Sequence, residues 1–128
     1  MLLFALTLAA ATPPGDPRCA SPRTADLNAC AGADWMRADA AMNAQYRATM
    51  AQMKASDAHP QPDATTGPTY AAALLASQRA WLAFRDAECV SEGYRNRGGS
   101  MEEMVILGCK ADLTRARTRQ LHALTVTP

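Results

Sequence analysis

Apolar and polar positions alternate along most of this chain with the period of an α-helix, and they do so in three separate stretches. In the first, Trp35, Ala38, Met42, Tyr46, Thr49, Met50 and Met53 recur at three- and four-residue steps, while Asp34, Arg37, Gln45, Arg47 and Lys54 lie largely off that seam. Thr24 stands at an N-cap position before Ala25-Asp26-Leu27, and the alanine filling favours helix throughout. The helix should fade near Ser56, because residues 56–68 hold three prolines, a glycine and several turn-formers and read as a flexible connector.

The second stretch predicts a helix over about 69–92, with Leu74, Gln78, Trp81, Leu82, Arg85 and Cys89 on one face. Gln78 and Arg85 are polar, so either they pair with polar groups on another helix or the stripe borders a solvent-lined groove. Residues 93–99 cannot hold a helix, and Ser100-Met101-Glu102-Glu103 matches a capping box that opens the third. Its inner side should carry Met101, Met104, Val105, Cys109, Leu113, Ala116, Arg117, Leu121 and Leu124, fraying toward 125–128. The methionines along these seams read as adaptable core. The predicted fold class is all-α: a long helix packed on an antiparallel helical hairpin.

The N-terminus reads differently. Residues 2–11 form an almost uninterrupted apolar run ending in Ala9-Ala10-Ala11, with Pro13-Pro14-Gly15 close behind. At about ten residues the run falls short of the roughly 20 that span a bilayer as a helix, which gives a signal peptide over 1–11 and cleavage near Ala11. No cysteine directly follows it, so a lipid anchor is not expected. An extended Pro-rich segment should occupy 12–23 and the helical domain 24–124. The product is read as exported, periplasmic or secreted, and soluble.

Export changes the meaning of Cys19, Cys30, Cys89 and Cys109, since an even number of cysteines in a small secreted domain is most simply a set of disulfides. There is no C-x-x-C pair and no histidine near enough in sequence to complete a zinc motif, so no metal and no cofactor are expected. Three pairings are possible. Chain entropy gives roughly 2.8 and 3.3 kcal/mol for the local bridges Cys19 to Cys30 and Cys89 to Cys109, and does not choose among the three. In an antiparallel hairpin, Cys89 and Cys109 lie at depths differing by about 7 Å, an offset that an irregular connector absorbs. That geometry favours local pairing, and the main rival links the first helix to the third.

Length and charge narrow the function classes. A chain of 128 residues closes one core. With 13 Lys+Arg against 12 Asp+Glu and a formal net charge of +1, it lacks the cationic excess of a nucleic-acid or acidic-membrane binder. Catalysis is poorly provided for: His59 lies in the connector and His122 near the end of the third helix, both bridges would leave no thiol, and Asp86 and Glu88, two apart, point to different sides of a helix. The protein is read as a non-enzyme. Asp39 could meet Arg85 across the bundle, in a network with Gln78, Tyr46, Thr114 and Arg117.

Taken in order, several motifs resemble a known family: Cys19 and Cys30 around Thr24; Asp39-x-x-Met42-Asn43-x-x-Tyr46; Gln78-Arg79-Ala80-Trp81-x-x-Phe84-Arg85-Asp86-Ala87-Glu88-Cys89; Gly98-Gly99-Ser100; and Cys109-x3-Leu113-Thr114-x2-Arg117-x3-Leu121. Together they resemble the lysozyme-inhibitor LprI-like domain of bacterial exported proteins, over about 19–124. The resemblance implies a binding protein whose target is lysozyme or another envelope protein. The family's namesake is a lipoprotein, and the lipid-attachment cysteine is missing here. A lysozyme inhibitor fills a cleft holding two carboxylates, a task suited to hydrogen-bond donors on a protrusion. The obvious protrusion is the turn between the second and third helices, where Tyr94 offers an aromatic anchor, Arg95 and Arg97 charged donors, and Ser100 a hydroxyl beside two glycines. The alternative is an envelope structural or adaptor domain that binds a cell-wall component or partner protein without inhibiting anything.

Overall fold

The computed structural model describes residues 15–59 and 66–126. The expected signal peptide, the first residues of the expected extended segment and the middle of the connector lie outside the described residues. Three α-helices account for most of the rest: α1 (Thr24–Ala58), α2 (Tyr70–Gly93) and α3 (Glu102–Ala123). Short 3-10 turns occupy Pro17–Ala20 and Tyr94–Asn96.

The helices run up, down and up. Asn28 of α1 donates to Glu103 of α3 and Thr49 donates to the Leu121 carbonyl, so α1 and α3 ascend together. Cys89 of α2 is bonded to Cys109 and Arg85 reaches Thr114, so α2 descends beside them. The fold is all-α, with a long helix packed on an antiparallel helical hairpin and two disulfides. Both bridges are local, Cys19 to Cys30 and Cys89 to Cys109.

Several local expectations are corrected. The segment before α1, expected to be extended, contains the Pro17–Ala20 turn, which Asp16 caps by accepting from the Arg18 N–H at 3.0 Å. Arg23, not Thr24, is the N-cap of α1, and no side chain caps it; Ser21 instead accepts from the Arg23 N–H and donates to Asp26. The stretch 93–99 is not helix-free: α2 runs through Gly93 and continues as the 3-10 turn. The capping box does not form. Met101 is the N-cap of α3; Glu103, the acid of the expected box, accepts from Asn28 of α1 instead, and Glu102 accepts from the Gly98 N–H at 2.6 Å. Met101 and Leu124, placed on the inner side of the third helix, are 44% and 51% exposed, because each lies at or beyond a helix end where α1 and α2 give no cover.

Asp57, in the last turn of α1, accepts from the Tyr70 and Ala71 N–H groups at 2.8 and 3.0 Å, and Thr69 caps the same helix start through Ala72. A carboxylate there meets both the orphan donors and the positive end of the helix dipole, fixing where α2 begins against α1.

The interior is narrow. Its apolar centre is Met42, Leu74 and Leu121, with Tyr46, Met50, Met53, Trp81 and Leu82 packed around it at partial exposure. Thr49, Gln78, Arg85, Thr114 and Arg117 are buried beside these apolar groups. A core this small and this polar gains correspondingly more from covalent bracing.

Candidate functional site

The buried polar residues other than Thr49 form two adjacent groups across the bundle. Arg85 enters from α2, 7% exposed at its side chain, and its Nη1 donates to Asp39 Oδ1 of α1 at 3.2 Å and to Thr114 Oγ1 of α3 at 3.3 Å. Its Nε donates to Asp86 at 3.0 Å. About one helical turn further up α3, Arg117 gives Nε to Gln78 at 2.9 Å and Nη2 to Ser77 at 2.9 Å, while Gln78 Nε2 points at the Met42 sulfur 3.6 Å away. Burial lowers the Arg117 pKa.

Two tryptophans interleave these cations. The Arg85 guanidinium lies 5.6 Å from the Trp35 ring and 5.3 Å from Trp81, Arg117 lies 5.9 Å from Trp81, and Lys110 sits 4.7 Å from Trp35. Arg85 and Arg117 therefore each have a π-face as well as hydrogen-bond acceptors, which is how the interior tolerates their positive charge. Of the residues expected in this network, Asp39, Gln78, Arg85, Thr114 and Arg117 come together. Tyr46 does not join them through a hydrogen bond among the described residues; its ring packs on the Met42 cluster instead. Trp35, Trp81 and Ser77 were missed. The tryptophans read as ordinary seam residues, although the Trp81 and Arg85 spacing of one helical turn was a signal.

The turn between α2 and α3 is held at both ends. The Cys89–Cys109 bridge closes its base, with Cys89 fully buried. A Cβ at Gly93 would overlap Ile106 of α3, so the absence of a side chain lets the helices meet there. Gly98 has φ +75°, the left-handed conformation that glycine adopts at least cost, and its N–H is the one Glu102 holds. The Gly99 N–H donates to the Asn96 carbonyl at 2.8 Å. On this frame Tyr94 is 47% exposed with the Arg97 guanidinium 4.5 Å over its ring, and Arg95, Arg97 and Ser100 face solvent.

Gly99 and Ser100 also wall a cleft of about 560 Å³ between the turn and the start of α1, with Asn28 and Glu103 across it. A second cleft, of about 490 Å³, shares Asn28, Glu103 and Leu107 with the first and runs on to Trp35 and Met36. A third shares Trp35 and Met36 and ends at Asn43. The first two form one trough where α1 and α3 ascend together, and the third continues it past Trp35 along α1 alone. Sequence reading missed it, because Glu102 and Glu103 were absorbed into a helix-start motif.

Among the described residues no group of three or more metal-ligating side chains comes together, and no helix is long and apolar enough to cross a membrane.

Comparison with known proteins places this architecture. A protein of Rhizobium meliloti (strain 1021), described only as uncharacterized, is 45% identical over 102 residues, which cover 77% of this chain and 71% of that relative. No solved structure matches the chain. The family model described as lysozyme inhibitor LprI matches residues 18–121, from just before the first bridged cysteine to the buried Leu121 of α3. The chain belongs to the LprI lysozyme inhibitor family.

Proposed function

We propose that this protein is exported and that it binds and inhibits lysozyme-type muramidases through surface contacts centred on residues 94–100. The family membership over 18–121 carries the reading. The turn supports the placement: it is exposed, and fixed by the buried Cys89–Cys109 bridge, the Gly93 contact and the Glu102 clamp. A preordered protrusion loses little entropy on entering a cleft. Tyr94 with Arg97 stacked on it presents a flat amphipathic anchor, and Arg95 and Ser100 supply donors for the carboxylates that line a muramidase site. No chemistry on the target is required of the protein itself.

The test is clearing of a cell-wall suspension by lysozyme in the presence of the purified, oxidised protein. Inhibition by the parent chain, weakened about tenfold or more by Arg95→Ala with Arg97→Ala, is the expected result. Unchanged inhibition by the double variant removes the turn from the interface. No inhibition by the parent chain removes the inhibitor reading and favours the adaptor. Export is tested by the mass of the natural product, expected to begin near residue 12.

A further inference from the structure

The trough between α1 and α3 has an unusual lining. Its carboxylates are Glu102, Glu103 and Asp39, and no lysine or arginine lines any of its three clefts. Asp39 is neutralised by Arg85, but among the described residues neither Glu102 nor Glu103 has a cationic partner. Their hydrogen bonds come from neutral donors, the Gly98 N–H and the Asn28 side-chain amide at 3.0 Å. The nearby cations are already engaged: Arg37 and Arg115 pair with Asp34, and Lys110, which lies 4.7 Å over the Trp35 ring of the trough wall, pairs with Asp86. Within α3 the positions four residues on from the two glutamates are Ile106 and Leu107, so the helix itself provides no cation for them.

Shape and polarity agree with the charge. Leu107 forms part of the wall, Ala25, Ala29 and Gly32 keep the α1 side low, and Met36 stands 69% exposed on the rim. Along α1 the trough runs from Thr24 to Asn43, about 28 Å at the helical rise. That length suits an extended or helical segment of a protein better than a small ion.

We propose that this trough is a docking surface for a cationic segment of a protein partner, with the partner's lysine or arginine heads at Glu102 and Glu103 and their aliphatic stems along Leu107 and Met36. This rests on the reading above, because enzymes that act on anionic cell-wall polymer are themselves commonly cationic, and it gives the partner a second contact beside the turn. The near-neutral whole chain hides the polarity: the turn carries Arg95 and Arg97, the trough carboxylates. The turn then enters the partner's acidic cleft while the trough engages the basic surface around it, so both signs of charge are complemented in one interface.

The test measures binding of the purified, oxidised protein to a cationic lysozyme by biolayer interferometry at low and high salt. The variants are Glu103→Gln, which keeps an acceptor for Asn28, and Ala25→Lys, at an exposed position on the wall. Circular dichroism checks that both fold. The expected result is binding that weakens with salt, about tenfold weaker for Ala25→Lys and severalfold weaker for Glu103→Gln, each with a shallower salt dependence. If the parent binds and both variants bind equally well, the trough is overturned while the inhibitor reading stands. If the parent does not bind lysozyme, the inhibitor reading fails, and the trough is judged with a lysine-rich decapeptide by NMR. Shifts at Asn28, Gly32, Leu107 and the Trp35 indole that vanish in Ala25→Lys sustain it; their absence overturns it.

Discussion

Arg85 Nη1 lies 3.2 Å from Asp39 Oδ1, joining residues 46 positions apart, and the same nitrogen lies 3.3 Å from Thr114 on the remaining helix. One buried guanidinium thus ties all three helices at mid-height, between the apolar Met42 layer and the Cys89–Cys109 bridge.

Replacing Arg85 by Ala should therefore destabilise the fold by about 3–5 kcal/mol, since it strands partners and opens a gap between Trp35 and Trp81. Asp39→Ala should cost less, because Asp39 is about one-third exposed and water can replace it, while Arg85 keeps Asp86. Urea unfolding of the two single variants and the double variant checks both the order and the coupling. Additive effects would contradict a direct pair.

Gly93→Ala should destabilise by about 1–3 kcal/mol, because the added methyl meets the Ile106 side chain in a closed contact. Gly93→Ala combined with Ile106→Ala should cost less than the sum of its parts. Gly108→Ala, which meets nothing within 4 Å and lies mid-helix, should be neutral or stabilising. Thermal unfolding of the four variants separates these outcomes.

The two bridges should respond differently to reductant. Cys89 and Cys109 are 0% and 8% exposed, whereas Cys19 lies on the surface. Under mild thiol, alkylation followed by mass analysis should label Cys19 and Cys30 first, and Cys89 and Cys109 only as the bundle opens. Replacing Cys89 and Cys109 together by Ala should cost about 2–4 kcal/mol, read from denaturant midpoints.

Asp16 should titrate at about 2, lowered from 3.8 by the side-chain hydrogen bonds from Arg18 and then by the Arg18 backbone N–H. Because the folded pKa is the lower one, the stabilisation of the Pro17–Ala20 turn is complete above about pH 4 and is lost as pH falls toward 2. An NMR titration of the Asp16 carboxyl should show this midpoint, and Arg18→Ala should move it up toward 3.8. An unmoved midpoint would show that Arg18 is not the cause.

The helices were legible because their signal is local. The seam through Ala38, Met42 and Thr49 and the face through Leu74, Gln78, Arg85 and Cys89 repeat at the helical period, and those positions are buried. Helix ends were less legible. Thr24 and Ser100 are cap residues by type, yet Arg23 and Met101 hold the cap positions, because the neighbouring Cys19–Cys30 bridge and the Gly98 turn set the chain's path there.

By itself, then, the sequence determined the class of fold, the three helices with their inward faces, and that Gln78 and Arg85 needed partners. What only the tertiary structure decided is that Ser77 and Asp86 join the expected partners while Tyr46 does not, that Trp35 and Trp81 stack with the cations, and that Glu102 and Glu103 open onto a trough. The physical reason is one of range. Periodicity and propensity act over a turn or two of one helix, whereas a charge layer or a groove exists only once separate helices fix their heights against each other, here through Cys89–Cys109, Asp57 at the start of α2, and the contact of Gly93 with Ile106.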